Sequence, residues 1–271
     1  MIQELRFAQD LPVTETMPML FLGHGSPMNA IEETEFSKGW RQAGERVGRP
    51  AAILCISAHW YTKGTQVTAM ERPRTIHDFY GFPKELSAVE YPAPGHPGLA
   101  KEVSDRADAA TPIGLDASWG LDHGSWSVLK HLYPSAQVPV VQLSIDATKP
   151  PAWHSALARE LAWLRRRGVL ILGSGNIVHH LGLIDWRMPE GGYDWAVHAN
   201  DAFKTSIREG DHERLLGYAA LGEEARLAVP TPDHFLPLLY VLGLRGGEEQ
   251  VSFFNDKLVM GSISMTSLRI G

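Results

Sequence analysis

Cysteine is nearly absent from these 271 residues, Cys55 being the only one, so neither an intrachain disulfide nor a cysteine-built zinc site can form. Cys55 lies in the apolar run 52–56 with nothing basic beside it, and reads as a small buried hydrophobe rather than a nucleophile. Long hydrophobic runs are also missing; none approaches the length that spans a membrane. Basic clusters are scarce. With Lys+Arg 25 against Asp+Glu 31 the net charge is -6, and the one block, Arg165-Arg166-Arg167, closes a predicted helix, where it reads as a solvated cap. Nucleic acid is therefore not an expected partner. Residues 1–17 hold Glu4, Asp10 and Glu15 and no apolar centre, unlike a secretory signal, which together with the cysteine count predicts a cytoplasmic setting.

What is present is the balance of a globular domain: 44% hydrophobic and 21% charged residues, without internal repeats or low-complexity linkers. Apolar runs at 19–22, 52–56, 66–70, 138–145 and 169–172 read as strands, and amphipathic stretches at 98–110, 125–132, 151–167, 194–208, 212–220 and 232–242 as helices. Late runs at 251–254 and 258–264 read as a hairpin or edge strands. Strands alternating with helices predict a single α/β domain over 1–271, with a central mixed or mostly parallel sheet flanked by helices and residues 1–17 as an N-terminal extension.

Residues 72–97 break this rhythm. They are rich in Pro, Gly, Tyr and Phe, and a long aromatic loop in a compact domain is commonly functional. Its residues His77, Phe79 and Tyr80 are candidates for a wall of a binding site.

Chemistry is concentrated in histidine, of which there are twelve. His24 and His59 each stand at the end of a predicted strand, and in open α/β sheets ligands collect at the carboxyl ends of strands, so the two are candidates for one metal site. A third strand runs into Gly173-Ser174-Gly175-Asn176 and presents His179 to the same edge. His123 precedes a predicted helix with Ser125 as a possible N-cap, and either Asp233 or His234, after Thr231-Pro232, could complete a facial metal triad. The remaining histidines, among them His131 and His154, read as helix-surface or loop residues. The glycines at 173 and 175 fit neither a phosphate loop nor a G-x-S-x-G nucleophile elbow, and no H-E-x-x-H helix exists.

Six motifs in order, Gly23-His24-Gly25-Ser26-Pro27, Ser57-Ala58-His59-Trp60, His77-Asp78-Phe79-Tyr80-Gly81-Phe82-Pro83, Asp122-His123-Gly124-Ser125-Trp126, Gly173-Ser174-Gly175-Asn176 with His179 and Leu181, and Asp233-His234-Phe235-Leu236-Pro237-Leu238, resemble those of the class III extradiol ring-cleavage dioxygenases, the LigB-like family. Within that family the DOPA 4,5-dioxygenase branch is the most similar, over residues 18–265. The resemblance implies a non-haem Fe(II) enzyme that opens a catechol such as DOPA with dioxygen. Carried over motif by motif, it makes His24, His59 and His234 metal ligands, His179 the catalytic histidine and His123 a second acid/base. The protocatechuate branch has a glutamate where this chain has its third histidine. That departure leaves Zn(II) as an alternative occupant of the purified protein and His179 as a possible fourth ligand. Expected partners are then a small catechol and O2, with no membrane, and a monomer or small homo-oligomer. A zinc-dependent hydrolase on the same three histidines and a non-enzymatic binding protein like the Memo-type relatives are the alternatives; the presence of both His123 and His179 favours an enzyme.

Overall fold

Unbroken apolar runs suit strands covered on both sides, because alternate residues of a strand point to opposite faces of its sheet. The structure, a computed structural model that describes residues 11–271, uses them in that way. Met19, Phe21, Leu54, Ile56, Val169 and Ile171 enter one core, and Leu20, Leu22, Ile53, Cys55, Leu170 and Leu172 enter a second on the opposite face. Each such side chain, fully buried, contributes roughly 1.5–3 kcal/mol. The Cys55 thiol is pushed up to about 12 by burial and is inert.

The elements run β1 (Met19–Gly23), α1 (Glu35–Val47), β2 (Ala52–Thr62), β3 (Thr65–Thr68), α2 (Lys84–Ser87), α3 (Pro97–Arg106), β4 (Ile113–Asp116), α4 (His123–Leu132), β5 (Val140–Asp146), α5 (Pro151–Glu160), β6 (Val169–Gly175), α6 (Asp194–Glu209), α7 (His212–Leu216), α8 (Glu223–Ala228), α9 (Leu236–Gly243), β7 (Val251–Phe254), β8 (Leu258–Val259), β9 (Ile263–Ser264) and β10 (Ser267–Ile270). The main sheet has the order β4-β3-β5-β2-β6-β1-β10-β7. Its centre is parallel, β5 with β2, β2 with β6 and β6 with β1, while β3 on β5 and the β1-β10-β7 side are antiparallel. One core lies under α5, α6 and α9 and the other under α1 and α4, so the expected mixed sheet flanked by helices is what forms. Strands β2, β6 and β1 therefore deliver their carboxyl ends side by side. Among the described residues no helix is long and apolar enough to cross a membrane.

Several expectations shift. The helix expected over 151–167 stops at Glu160 and continues as a 3₁₀ helix through Arg167, which turns both Leu164 and Arg165 inward. Arg165 is thus not a solvated cap: it is 4% exposed, donates to Met17 O at 2.8 Å and Leu244 O at 3.2 Å, and pairs with Glu249. The helix expected over 232–242 begins only at Leu236, and Thr231 does not cap it. Residues 232–235 form a turn instead, because the His234 carbonyl is taken by the Asn176 N–H at 2.9 Å. Helix α4 starts two residues earlier than expected, with Asp122 rather than Ser125 as its cap. The stretch 212–220 breaks at Gly217, and 258–264 yields a separate two-stranded ribbon of β8 and β9. Of the expected N-terminal extension, residues 1–10 lie outside the described residues; beyond them Thr14 and Met17 donate to Arg166 O and Arg165 O. His131 and His154 are buried, not surface residues: His131 Nε2 meets Asn29 O at 2.8 Å, and His154 Nδ1 meets the Tyr240 hydroxyl at 3.0 Å, tying α5 to α9.

Burial pulls His154 down to about 4. The unfolded chain takes up a proton near 6.5 and the folded chain does not, so this residue's contribution to stability is present above 6.5 and is lost as pH falls toward 4. Denaturant titrations of the parent and of His154→Asn at pH 7 and pH 4.5 are expected to show the gap between them narrowing on acidification, by up to about 3 kcal/mol. A constant gap would mean that His154 does not titrate in that window.

Candidate metal centre

Five histidines meet where β1, β2 and β6 end. His24 follows β1 directly and its N–H is held by Gly175 O at 3.1 Å. His59 stands within β2 rather than at its end, in the stretch where the β2–β5 register breaks between Ile56 and Tyr61; such irregularities re-aim a side chain beside a site. His123 is the first residue of α4. His179 lies beyond β6, its N–H on Ala228 O at 2.8 Å, and His234 sits in the turn before α9. Two glycines allow the approach. A Cβ on Gly175 would come 2.2 Å from His234 O, and one on Gly124 would come 2.6 Å from Ser57 Oγ and 2.7 Å from His59 Cδ2.

The rings form one cluster. His24 and His59 have centroids 5.0 Å apart, His59 and His123 3.9 Å, and His234 lies 5.2 Å from His24 and 5.0 Å from His59. His179 stacks on His234 at 3.5 Å with the planes 7° apart. Ligand atoms of His24, His59 and His123 all fall within 4.8 Å of one another, so these three form a group able to hold a metal ion.

Hydrogen bonding fixes which nitrogen carries the proton in two of the rings, His24 and His234. Ser174 Oγ gives its own proton to Gly124 O at 2.5 Å, so at 3.0 Å it accepts from His24 Nδ1. The carboxylate of Asp233 accepts from His234 Nδ1. Asp78 serves two rings: Oδ2 is 3.4 Å from His59 Nδ1, while Oδ1 accepts the His123 backbone N–H at 2.9 Å and lies 3.0 Å from its Nδ1. A neutral imidazole protonated at Nδ1 turns a bare lone pair outward at Nε2. The Nε2 atoms of His24 and His59 nevertheless face each other at 3.2 Å. Where both rings carry their proton on Nδ1, two lone pairs meet at that distance and repel unless a cation stands between them. The separation matches the edge of a coordination shell with metal–nitrogen bonds of about 2.0–2.1 Å.

Burial keeps the rings neutral. It draws His59 down to about 3 and His179 to about 4, and it holds His24 and His234 well below the ordinary histidine range. Burial raises the Asp78 carboxyl, but its contacts with His123 and His59 outweigh this and leave it below its usual value. Asp122 is fully buried and pushed up by burial. It accepts from Ser57 Oγ at 2.7 Å and Ser125 N at 3.0 Å, so a single carboxyl fastens the start of α4 to the strand that carries His59.

The cluster floors a cleft of about 430 Å³ whose walls include Phe79, Tyr80 and Phe82 on one side and Leu181, Ile184 and Trp186 on the other. Five of the candidate site histidines, with Phe79 and Tyr80, are thus brought together. His77 is not: it does not line the cleft, its Nε2 meets Val89 O at 2.9 Å, and its ring packs edge-on to Phe79. Sequence reasoning missed Asp78 and Ser174 as partners of the histidines, although both lie inside the motifs that carry them.

Comparison with known proteins gives a consistent picture. Residues 18–270 match the family described as the catalytic LigB subunit of aromatic ring-opening dioxygenase. A 4,5-DOPA dioxygenase extradiol of Escherichia coli K12 is 47% identical over 268 residues, 97% of this chain and 98% of that protein. One from Beta vulgaris is 34% identical over 257 residues, 92% and 94% of the two chains. The crystal structure of an uncharacterized protein from Escherichia coli K12 superposes with a TM-score of 0.82 at 43% identity, covering 94% of this chain and 100% of the other.

Gly124→Ala would drive a methyl group into the His59 ring. The variant is expected to lose about 1–3 kcal/mol of stability in denaturant and to bind divalent metal more weakly by titration. Gly247→Ala, where an added Cβ meets nothing within 4 Å, serves as the neutral control.

Proposed function

This chain belongs to the LigB family of aromatic ring-opening dioxygenases, and we propose that it opens the ring of a DOPA-like catechol beside its hydroxyls with Fe(II) and O2. The observation that carries the reading is the pair of Nε2 atoms of His24 and His59 facing each other at 3.2 Å, on the floor of an aromatic-walled cleft. The names of the relatives support the extradiol chemistry and the DOPA-like substrate.

His24, His59 and His234 would hold the iron. The Nδ1 protons of His24 and His234 go to Ser174 and Asp233, the arrangement that fixes and strengthens an imidazole ligand, and the Asp78 carboxylate stands 3.4 Å from Nδ1 of His59. When bound there, Fe(II) supplies a Lewis acid for a catechol hydroxyl and a redox partner for dioxygen. The protein does the rest. Phe79 and Phe82 offer an apolar face to the ring. A ring nitrogen of neutral His179 takes the proton of the second hydroxyl and returns it as the ring opens. His123, its Nδ1 turned to Asp78, is a second proton carrier on the opposite side. We place this enzyme in the cytoplasm, as a monomer or small homo-oligomer with a single catalytic domain.

One observation favours a different ligand set. His123, not His234, lies within 4.8 Å of the other two in ligand atoms, and three imidazoles also suit zinc.

The test is anaerobic reconstitution of metal-free protein with Fe(II) or Zn(II), then air and DOPA, followed by absorbance of the ring-opened product. Colour is expected with iron alone. In His179→Ala kcat is expected to fall about 10²–10⁴-fold with metal retained. Metal content by mass spectrometry divides the roles: His234→Ala is expected to lose metal, and His123→Ala to keep it while losing kcat. The reverse pattern would exchange those two residues, and no colour with any of several catechols would overturn the dioxygenase reading.

A further inference from the structure

A catechol held by two hydroxyls still has to place the substituent on its ring, and the cleft dictates what that substituent can be. Among the described residues lining it there is no lysine and no arginine. Its one carboxylate, Asp78, is spent on His59 and His123. Apart from Asp78 and the five histidines, every lining side chain is aromatic, aliphatic or small. A negative group carried into this space would leave water and find no counter-charge.

The cleft shares part of its wall with other open space. Ser26, Trp186 and Met260 line it and also line a second cavity of about 550 Å³. Met260 holds a left-handed backbone, φ 51°, although it is not glycine, a conformation kept only where the surroundings enforce it. Asp185 N–H on Met260 O at 2.9 Å and Gly261 N–H on Gly191 O at 3.2 Å fasten that turn to the segment bearing Trp186. The partition between the two cavities is therefore a built feature. Beyond it the cavity wall carries Glu32, Glu35 and Glu190 against Lys257 alone, and Lys257 is already paired with Glu35 at 2.6 Å.

Resting on the catechol reading, we infer that this site selects its substrate by the charge of the ring substituent: the substituent leaves the cleft past Trp186 and Met260, where a cationic amine is accepted and a carboxylate without an accompanying amine is rejected. An amine there meets the Trp186 indole and surplus carboxylates; a free carboxylate meets an apolar wall and then like charge. An amino-acid side chain, which carries both groups, falls between the two.

The test uses the full chain and three catechols that share a two-carbon spacer at position 4: 2-aminoethyl, ethyl and 2-carboxyethyl. With Fe(II) loaded, kcat/KM is expected to be about tenfold or more higher for the amine than for the carboxylate, the factor that one unpaired charge costs in a half-buried site, with the ethyl compound between them. The gap is expected to shrink as salt is raised. Leu181→Lys puts a cation on the cleft wall at a position that is 64% exposed, and is expected to raise the carboxylate-to-amine ratio; Glu190→Gln is expected to lower the amine-to-ethyl ratio. Binding of the same three compounds to the Zn(II)-loaded protein, followed by tryptophan fluorescence, is expected to give the same order without turnover. A carboxylate that equals or exceeds the amine in both assays, or ratios unmoved by both variants, would overturn the inference. Absence of any ring cleavage would overturn the dioxygenase reading instead, and the binding order would still decide this one.

Discussion

Imidazole rings crowded into one cavity repel one another as soon as more than one of them is charged. Each additional proton would set a positive charge within a few ångströms of four neighbours in a poorly solvated space, and burial already opposes it at His24, His59, His179 and His234. Neutrality has its own consequence, since a neutral imidazole has one proton and one lone pair, and their placement has to be chosen. Ser174 and Asp233 choose it for His24 and His234 by taking Nδ1, Asp78 lies beside Nδ1 of His59, and Nε2 of His24 and His59 face each other. The electrostatic problem and the binding site are one arrangement, and a cation at the centre resolves both.

That arrangement depends on backbone placement more than on the histidines themselves. Strands β1, β6 and β2 run parallel in adjacent positions, so Gly23 pairs with Gly175 and Ser57 with Ser174, and the chain leaves all three at one edge of the sheet. The Ser174 that orients His24 is thus a residue of β6, directly beside the strand that carries His59. Asp122 completes the frame from the other side, joining β2 to α4 through Ser57 and Ser125. Asp78 then ties the aromatic loop to the same helix. Trp126 Nε1 donates to Ile76 O at 2.7 Å and Phe79 lies edge-on to His123, so the wall that would face a substrate and the histidine beneath it move as one body.

Much of this was legible in the sequence, for identifiable reasons. The sheet could be read because β1, β2 and β6 are largely continuous apolar runs, and the gathering of His24, His59, His123, His179 and His234 could be read because each stands in a short motif within or just beyond a strand or at the start of a helix. Helix α1 could not, because it buries only Ser37, Trp40, Ala43 and Gly44 and is started by Thr34 and Ser37 rather than by a Glu-bearing capping box. Arg165 looks no different from its two neighbours until the 3₁₀ pitch turns it toward Glu249. His77 and Asp78 are adjacent in a loop without periodicity, and nothing local says that the first turns to Val89 while the second reaches His123, 45 residues away. Tertiary contacts of that kind have no periodic signature.

The pairing of β1 also bears on the order of events in folding. Met19 lies opposite Ile270, and β10 separates β1 from β7 in the finished sheet. The strand that presents His24 therefore keeps an open edge until one of the most distant segments of the chain arrives, a contact of very long range that is made late and slowly. His179 is bridged to Ile263 and Asn176 Nδ2 donates to Ser264 O at 2.7 Å, which places a second part of the cluster under the same late-arriving segment. A chain still waiting for this segment has the histidines but not their convergence, so the cluster is completed with the fold and not before it.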